Sequence, residues 1–212
     1  MREIRQPPSQ ADFDRIEMPA FEAWKLGFPA WFRLSNTAYP GQFYPSPRSR
    51  LTPISRAYPC VYLAEDTGTA VAELWGDQFY AQRAFGPAIF SIARSEAEQI
   101  RFLKTESNPA LRLCDLTDGD TRLRVGIDSA TLYCPDLKVP QGWAEVIAHH
   151  PANLDGILYR SRHTDRLCVV VWNRPDRVLE REFAFTDAGP FIESPESYAI
   201  AKKVGVTLSF TY

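Results

Sequence analysis

Apolar residues occur along this chain in short runs separated by proline, glycine and polar residues. Runs of about four to eight residues with such boundaries are typical of buried strands. The pattern predicts strands at residues 31–34, 60–64, 88–93, 111–116, 156–159 and 167–172. Two further strands, at the edges of a sheet, are predicted at residues 178–185 and 206–212.

Helical spacing of apolar residues is clearest after the second predicted strand. A helix is predicted at residues 69–80, with Asp66 or Thr67 as its cap. Glu73 follows Ala70 by three residues, so it borders the apolar face of this helix. The predicted buried face consists of four apolar residues, Ala70, Val71, Leu74 and Trp75.

Two shorter helices complete the prediction. Trp143 and Ile147 mark one, which Pro140 opens and Pro151 closes. Residues 9–12 have the spacing of a capping box and mark the other. Strands and short helices mix without the regular alternation of a doubly wound sheet, which predicts the α+β class.

The chain is long enough for one domain with a short extension. We expect an N-terminal extension at residues 1–28 and a domain at 29–212, with its core at about 31–174 and C-terminal strands after it. The proline-rich stretch 39–59 is expected to be irregular, as functional segments often are. Apolar residues of the extension pack either on their own domain or on a second subunit of a homodimer: Phe21, Trp24 and Phe28.

Composition excludes several functional classes. The net charge of −2 gives no general signal for direct nucleic-acid binding. The 11 glycines never form G-x-G, which excludes the usual glycine-rich dinucleotide and phosphate motifs. The N-terminal residues lack the apolar core of a signal peptide, and the longest apolar run, 167–172, is too short to span a membrane. The cytoplasm is therefore the expected location.

Metal chemistry also finds little support in the sequence. The four cysteines form no C-x-x-C pair, so no metal site is predicted, and Cys60 and Cys168 are expected to be buried thiols. His149 and His150 are expected on the surface near a helix C-terminus. His163 is expected to be a solvent-exposed loop residue.

Five polar residues are candidates for chemistry, although each also has an ordinary structural explanation. Arg33 in a strand forms either a structural salt bridge or a ligand contact, because a buried unpaired guanidinium is costly. The structural explanation for Arg50 is a solvated charge in a loop, and that for Glu73 is an acidic residue on the helix surface. Tyr62 is otherwise a core aromatic residue, and Ser161 a small polar residue at a strand end.

Taken in order, these residues resemble the RES-domain family, which is named for an arginine, a glutamate and a serine. Arg50 lies twelve residues before Tyr62 and Glu73 eleven residues after it, as in the family. The usual Gly-Gly before the second arginine is missing. The segments that carry the resemblance are W-F-R-L at 31–34, V-Y-L-A-E-D at 61–66, T-A-V-A-E-L at 69–74, L-C-D-L-T at 113–117 and D-G-I-L-Y-R-S-R at 155–162.

The resemblance implies an ADP-ribosyltransferase-like fold and a toxin of a bacterial toxin–antitoxin pair, with an Xre-like antitoxin as partner. It implies NAD as a substrate, with no separate cofactor. Arg33 and Arg50 would hold the pyrophosphate, since arginine suits paired phosphate oxygens. Tyr62 would stack on a ring of NAD, and Ser161 would hydrogen-bond the nicotinamide ribose or amide. Glu73 would stabilise the positive charge that develops on the ribose, with Arg33 as a second catalytic residue.

Three activities remain open at this level. The first is cleavage of the nicotinamide–ribose bond by water or phosphate, which makes the protein a glycohydrolase or a phosphorylase. The second is transfer of ADP-ribose to a protein. The third is a partner-binding module without catalysis, against which the complete set of five residues argues.

Overall fold

The computed structural model describes residues 4–22, 30–36, 42–83, 88–106, 109–203 and 206–211. Trp24 and Phe28 of the predicted extension lie outside these ranges. The helices are α1 (Gln10–Phe13), α2 (Thr67–Arg83), α3 (Arg94–Glu98), α4 (Gly119–Val125), α5 (Ser129–Leu132), α6 (Lys138–Ala148) and α7 (Pro195–Lys203). The strands are β1 (Ala20–Glu22), β2 (Phe32–Asn36), β3 (Cys60–Ala64), β4 (Ala88–Ala93), β5 (Ile100–Thr105), β6 (Arg112–Asp115), β7 (Gly156–Arg160), β8 (Leu167–Trp172), β9 (Phe185–Pro190) and β10 (Val206–Thr211).

An eight-stranded sheet forms the centre of the fold, in the order β1-β6-β7-β8-β3-β2-β5-β9. Strands β6 and β7 are parallel, and the other neighbouring pairs are antiparallel. Strands β7 and β8 are almost entirely buried, as apolar runs predict for central strands. Gly156 permits their close approach, because a Cβ there would lie 1.9 Å from the Val170 carbonyl oxygen. Short helices alternate irregularly with these strands, which confirms the α+β class.

The second sheet consists of β4 and β10, which pair in parallel. Helix α2 buries one face between this sheet and β5, where Phe79 and Phe90 meet edge to face at 4.9 Å. The opposite face of α2 carries Glu73, Leu74 and Asp77 and remains accessible. The prediction that Leu74 belongs to the buried face was wrong, since its side chain is 50% exposed. The buried face instead follows positions 71, 75 and 79, which places Glu73 on the open side.

The N-terminal segment packs on the same core. Ser9 caps α1 and accepts a hydrogen bond from the backbone of Asp12 at 3.3 Å, as the capping-box spacing predicted. Phe13 is fully buried against Trp143 and His150. Strand β1 then joins the large sheet beside β6, and Phe21 is partly buried against its own domain.

His150 was expected on the surface, and this was wrong. The residue is 6% exposed, its ring lies against Phe13, and its Nε2 atom is 3.1 Å from the Ile16 carbonyl oxygen. Its burial follows from the N-terminal segment, which covers this end of α6. His149, the last-turn neighbour, is exposed as predicted.

One strand prediction needs correction, and another strand was missed. Residues 179–181 form a 3-10 turn with Leu179 buried, and the strand predicted at 178–185 begins only at Phe185. Strand β5 was not predicted, because its buried residues are interrupted by Arg101 and Lys104. No helix within the described ranges is long and apolar enough to cross a membrane.

Candidate active site

A cleft of about 740 Å³ opens between β2 and β3. Their register contains a single Cα pair, Phe32 opposite Ala64, although residues farther along both strands line the cleft. The accessible face of α2 forms one wall, and the irregular segment 44–51 forms another. The sheet therefore has an opening at its centre that is large enough for a ligand.

Glu73 projects from α2 into this cleft, and two hydroxyl groups hold its carboxylate. Ser161 Oγ donates to Oε1 at 2.6 Å, and Tyr159 Oη donates to Oε2 at 3.0 Å. Desolvation raises the pKa of Glu73, while these two hydrogen bonds and the charges of Arg162 and Arg50 oppose the rise. The carboxylate is thus fixed in position but has a higher proton affinity than a fully solvated glutamate.

Helix α2 and the turn after β7 bring these groups together. Asp66 begins the helix by accepting a hydrogen bond from the backbone of Thr69 at 2.6 Å. Tyr159 belongs to β7 and Ser161 directly follows its last residue, and both side chains reach the same carboxylate. The turn is closed by the Ser161 N–H, which donates to the Arg166 carbonyl at 2.7 Å.

Arg50 reaches the same region from the irregular segment. It donates to the Cys134 carbonyl at 2.6 Å and lies 3.9 Å from the Asp77 carboxylate. Arg162 forms an ion pair with the same carboxylate. Burial and the positive charge of Arg162 lower the pKa of Arg50, and Asp77 and Glu73 oppose this. Two arginines therefore share one partly exposed aspartate beside Glu73.

Arg33 lines the cleft from β2 and has different neighbours. Its guanidinium donates to the Gln42 carbonyl at 3.1 Å. Burial lowers the pKa of Arg33 to about 10, so it remains positively charged at neutral pH. The positive charges that act on Glu73 are those of Arg162 and Arg50. The structure thus places Arg33 in the same cleft but does not bring it into the group around Glu73.

Tyr62 lines the cleft, and its hydroxyl group fixes the segment that carries Arg50. The Leu51 N–H donates to Tyr62 Oη at 3.0 Å, and the Thr52 hydroxyl shares a hydrogen bond with it at 3.3 Å. Trp172 Nε1 donates to the Leu51 carbonyl at 3.1 Å. These contacts give a stretch without regular secondary structure a defined path.

Sequence reasoning missed three residues around Glu73: Tyr159, Arg162 and Asp77. The two-residue spacing of Tyr159 and Ser161 and the four-residue spacing of Glu73 and Asp77 are the signals that indicate them. His163 was expected to be exposed, and this was wrong, since its side chain is 6% exposed and packs over Gly76 of α2. Within the described residues, no group of three or more His, Cys, Asp or Glu side chains is arranged to hold a metal ion.

Comparison with protein-family models gives a match to the RES domain over residues 22–192. The chain belongs to the RES-domain family. This assignment agrees with the ordered arginine, glutamate and serine of the sequence.

A solved structure provides a second comparison. The RES-domain chain resembles a chain of the crystal structure of the M. tuberculosis MbcT–MbcA toxin–antitoxin complex, with a TM-score of 0.59 and 16% identity. The likeness covers 92% of this chain and 96% of that one. It shows that the two chains share a fold, which is consistent with the ADP-ribosyltransferase-like architecture expected from the resemblance. The comparison with curated proteins gives no match.

Proposed function

We propose that this RES-domain protein is a toxin that consumes NAD by cleaving its nicotinamide–ribose bond. The observation that carries the proposal is the Glu73 carboxylate, held by Ser161 and Tyr159 in a cleft that four arginines also line, Arg33, Arg48, Arg50 and Arg162. Membership of the RES-domain family and the likeness to a toxin–antitoxin structure support it.

The chemistry needs a negative charge close to the ribose. When the bond between the ribose C1′ and the nicotinamide nitrogen breaks, its electron pair goes to the ring, which leaves as neutral nicotinamide. Positive charge then develops on the ribose, as in glycoside hydrolysis. Glu73 stabilises that charge most strongly in the transition state, where it accelerates the reaction. Water or phosphate then forms the new bond to C1′, and the proton of attacking water is released to Glu73 or to solvent.

The arginines provide complementary charge for the rest of NAD. The pyrophosphate carries two negative charges, and the planar guanidinium groups of Arg33 and Arg50 suit its oxygens. The cleft volume of about 740 Å³ lies in the usual range for small-molecule sites. Tyr62 offers an aromatic ring in the same cleft. The Ser161 hydroxyl, which the resemblance assigned to substrate binding, acts in this proposal on Glu73 instead.

The proposal is tested by incubating the purified protein with NAD in water, phosphate or arsenate and identifying the products by mass spectrometry. ADP-ribose indicates hydrolysis, and ADP-ribose 1″-phosphate indicates phosphorolysis. Labelled NAD with a cell lysate tests transfer to protein, which would place label on a protein band. If NAD remains intact under all of these conditions, the proposed function is wrong.

We also propose an inhibitory protein partner, an Xre-like antitoxin as in the family. The rim of the cleft supports this, since Tyr44 is 66% exposed and Leu74 is 50% exposed. Apolar side chains around a polar cleft suit a protein that covers it. The test is NAD consumption with and without the protein encoded beside this one. Equal rates for the free chain and the mixture would contradict an inhibitory partner.

A further inference from the structure

Helix α2 contains a glycine in its interior, where glycine is a poor helix former. Gly76 lies three residues after Glu73 and directly beneath the imidazole ring of His163. A Cβ atom at position 76 would lie 2.7 Å from three atoms of that ring. Such a distance is too short for any real contact, so the ring would have to move.

The ring has little room to move. The His163 side chain is 6% exposed, and its Nε2 atom lies 3.6 Å from the Asp77 carboxylate. Arg162 pairs with the same carboxylate, and the Thr164 hydroxyl shares a hydrogen bond with Thr69 at 3.1 Å. The turn 161–164 is therefore attached to successive turns of α2.

A chain of contacts connects the backbone of His163 to the carboxylate. The His163 backbone N–H donates to Ser161 Oγ at 3.2 Å, and Ser161 Oγ donates to Glu73 Oε1 at 2.6 Å. A displacement of the ring that shifts the His163 backbone therefore changes the position or direction of the Ser161 hydroxyl. The Glu73 carboxylate then loses the shorter of its two hydrogen bonds.

We infer that Gly76 and His163 are positioning residues for Glu73: the missing side chain at 76 seats the His163 ring on α2, and this seating directs the Ser161 hydroxyl to the carboxylate. The effect of this seating on catalysis rests on the proposed function. The contact between Gly76 and His163 does not, because it can be measured in the absence of NAD.

The test is a double-mutant cycle with Gly76→Ala, His163→Ala and the combined variant. We expect Gly76→Ala to lower kcat for NAD consumption about 10- to 100-fold, since small displacements of a reacting group have large effects. KM should change less than about twofold, because Arg33 and Arg50 lie outside the displaced turn. In the His163→Ala background the same glycine substitution should have no effect, because the ring that it strikes is gone.

Gly68→Ala is the matched control, because it lies in the same helix and its Cβ would meet only Asp66 Oδ1, at 3.4 Å. We expect wild-type kinetics for it. Hydrogen exchange of the peptide covering residues 160–166, measured without NAD, should be faster in Gly76→Ala than in the wild type. It should not differ between His163→Ala and the double variant.

Equal penalties for Gly76→Ala in both backgrounds, including misfolding in both, would overturn the inference. No change in the exchange of the turn would overturn it as well. Folding of the double variant where Gly76→Ala alone fails to fold would support it. A wild-type protein that leaves NAD intact refutes the proposed function, whereas the exchange measurement then still decides whether Gly76 seats His163.

Discussion

The two sides of the cleft hold positive charge in different ways. On the helix side, Arg50 and Arg162 share Asp77 beside the Glu73 carboxylate. On the strand side, Arg33 is half-buried and donates to the Gln42 carbonyl. A carbonyl oxygen satisfies a hydrogen bond but does not neutralise a charge. The helix side is therefore arranged around a carboxylate. Among the residues that the structure describes, Arg33 forms no ion pair with an acidic side chain, so the strand side has an excess positive charge that suits an anionic part of a substrate.

Loss of the Glu73 charge should have the largest effect on kcat, because it removes the carboxylate around which the helix side is arranged. We expect Glu73→Gln to lower kcat for NAD cleavage about 100- to 1000-fold, as removal of one electrostatic group from a preorganised site does. Steady-state kinetics at saturating NAD measures this. Glu98→Gln, in an exposed ion pair with Arg94, is the control and should retain wild-type activity. Near-normal turnover by Glu73→Gln would assign the chemistry to another group.

Removal of the unneutralised charge on the strand side should come next. We expect Arg33→Ala to raise KM for NAD about 10- to 100-fold, from the loss of charge-assisted hydrogen bonds. Arg33→Lys keeps the charge but loses the planar guanidinium group, so its KM should lie between those of the wild type and Arg33→Ala. Arg50→Ala should change both KM and the pH dependence, because Arg50 also acts on Glu73. If Arg33→Ala shifts the pH dependence as Arg50→Ala does, the division between the two sides does not hold.

Some elements around the cleft can be predicted from the sequence, and others cannot. Strands 60–64 and 167–172 and the helix at 69–80 follow from apolar spacing, because burial alone determines them. The arginine, glutamate and serine follow from an ordered motif. Neither apolar spacing nor the motif predicts the backbone path of the irregular segment 44–51. That path is set by side chains distant in sequence, such as Gln141, which donates to the carbonyls of Pro47 and Ser49 at 2.9 and 3.0 Å.

The contacts within the candidate site are harder to predict than the residues that the motif indicates. The resemblance implies a substrate contact for Ser161, and in the structure its hydroxyl group donates to Glu73. Tyr62 was assigned to ring stacking, and its hydroxyl group fixes the backbone of Leu51. Both contacts join residues that are far apart in sequence or lie on different elements, so no local pattern indicates them. The burial of His163 depends on the absence of a side chain at Gly76, and this contact is visible only in the three-dimensional structure.

The pH dependence should distinguish the sides by a smaller effect. Burial raises the pKa of Glu73, and in the proposed mechanism the carboxylate is the active form. Activity should therefore be absent at low pH and rise with pH through this raised value. Ser161→Ala removes a hydrogen bond that stabilises the carboxylate, so the midpoint of its kcat profile should move to higher pH. Arg33→Lys should leave the midpoint unchanged, and a midpoint that Ser161→Ala does not move would contradict the proposed partner of Glu73.

Asp77 should give the smallest effect, because its side chain is 64% exposed. Exposed ion pairs contribute little, so Asp77→Asn should change KM for NAD by less than about fivefold. The direction should be downward, since Arg50 and Arg162 lose their acidic partner and the helix side becomes more positive. The same variant should show a steeper dependence of KM on salt concentration, because exposed charges are screened. A large rise of KM would instead show that Asp77 orients Arg50 and Arg162. NAD binding on the helix side would then depend on this aspartate, as binding on the strand side depends on Arg33.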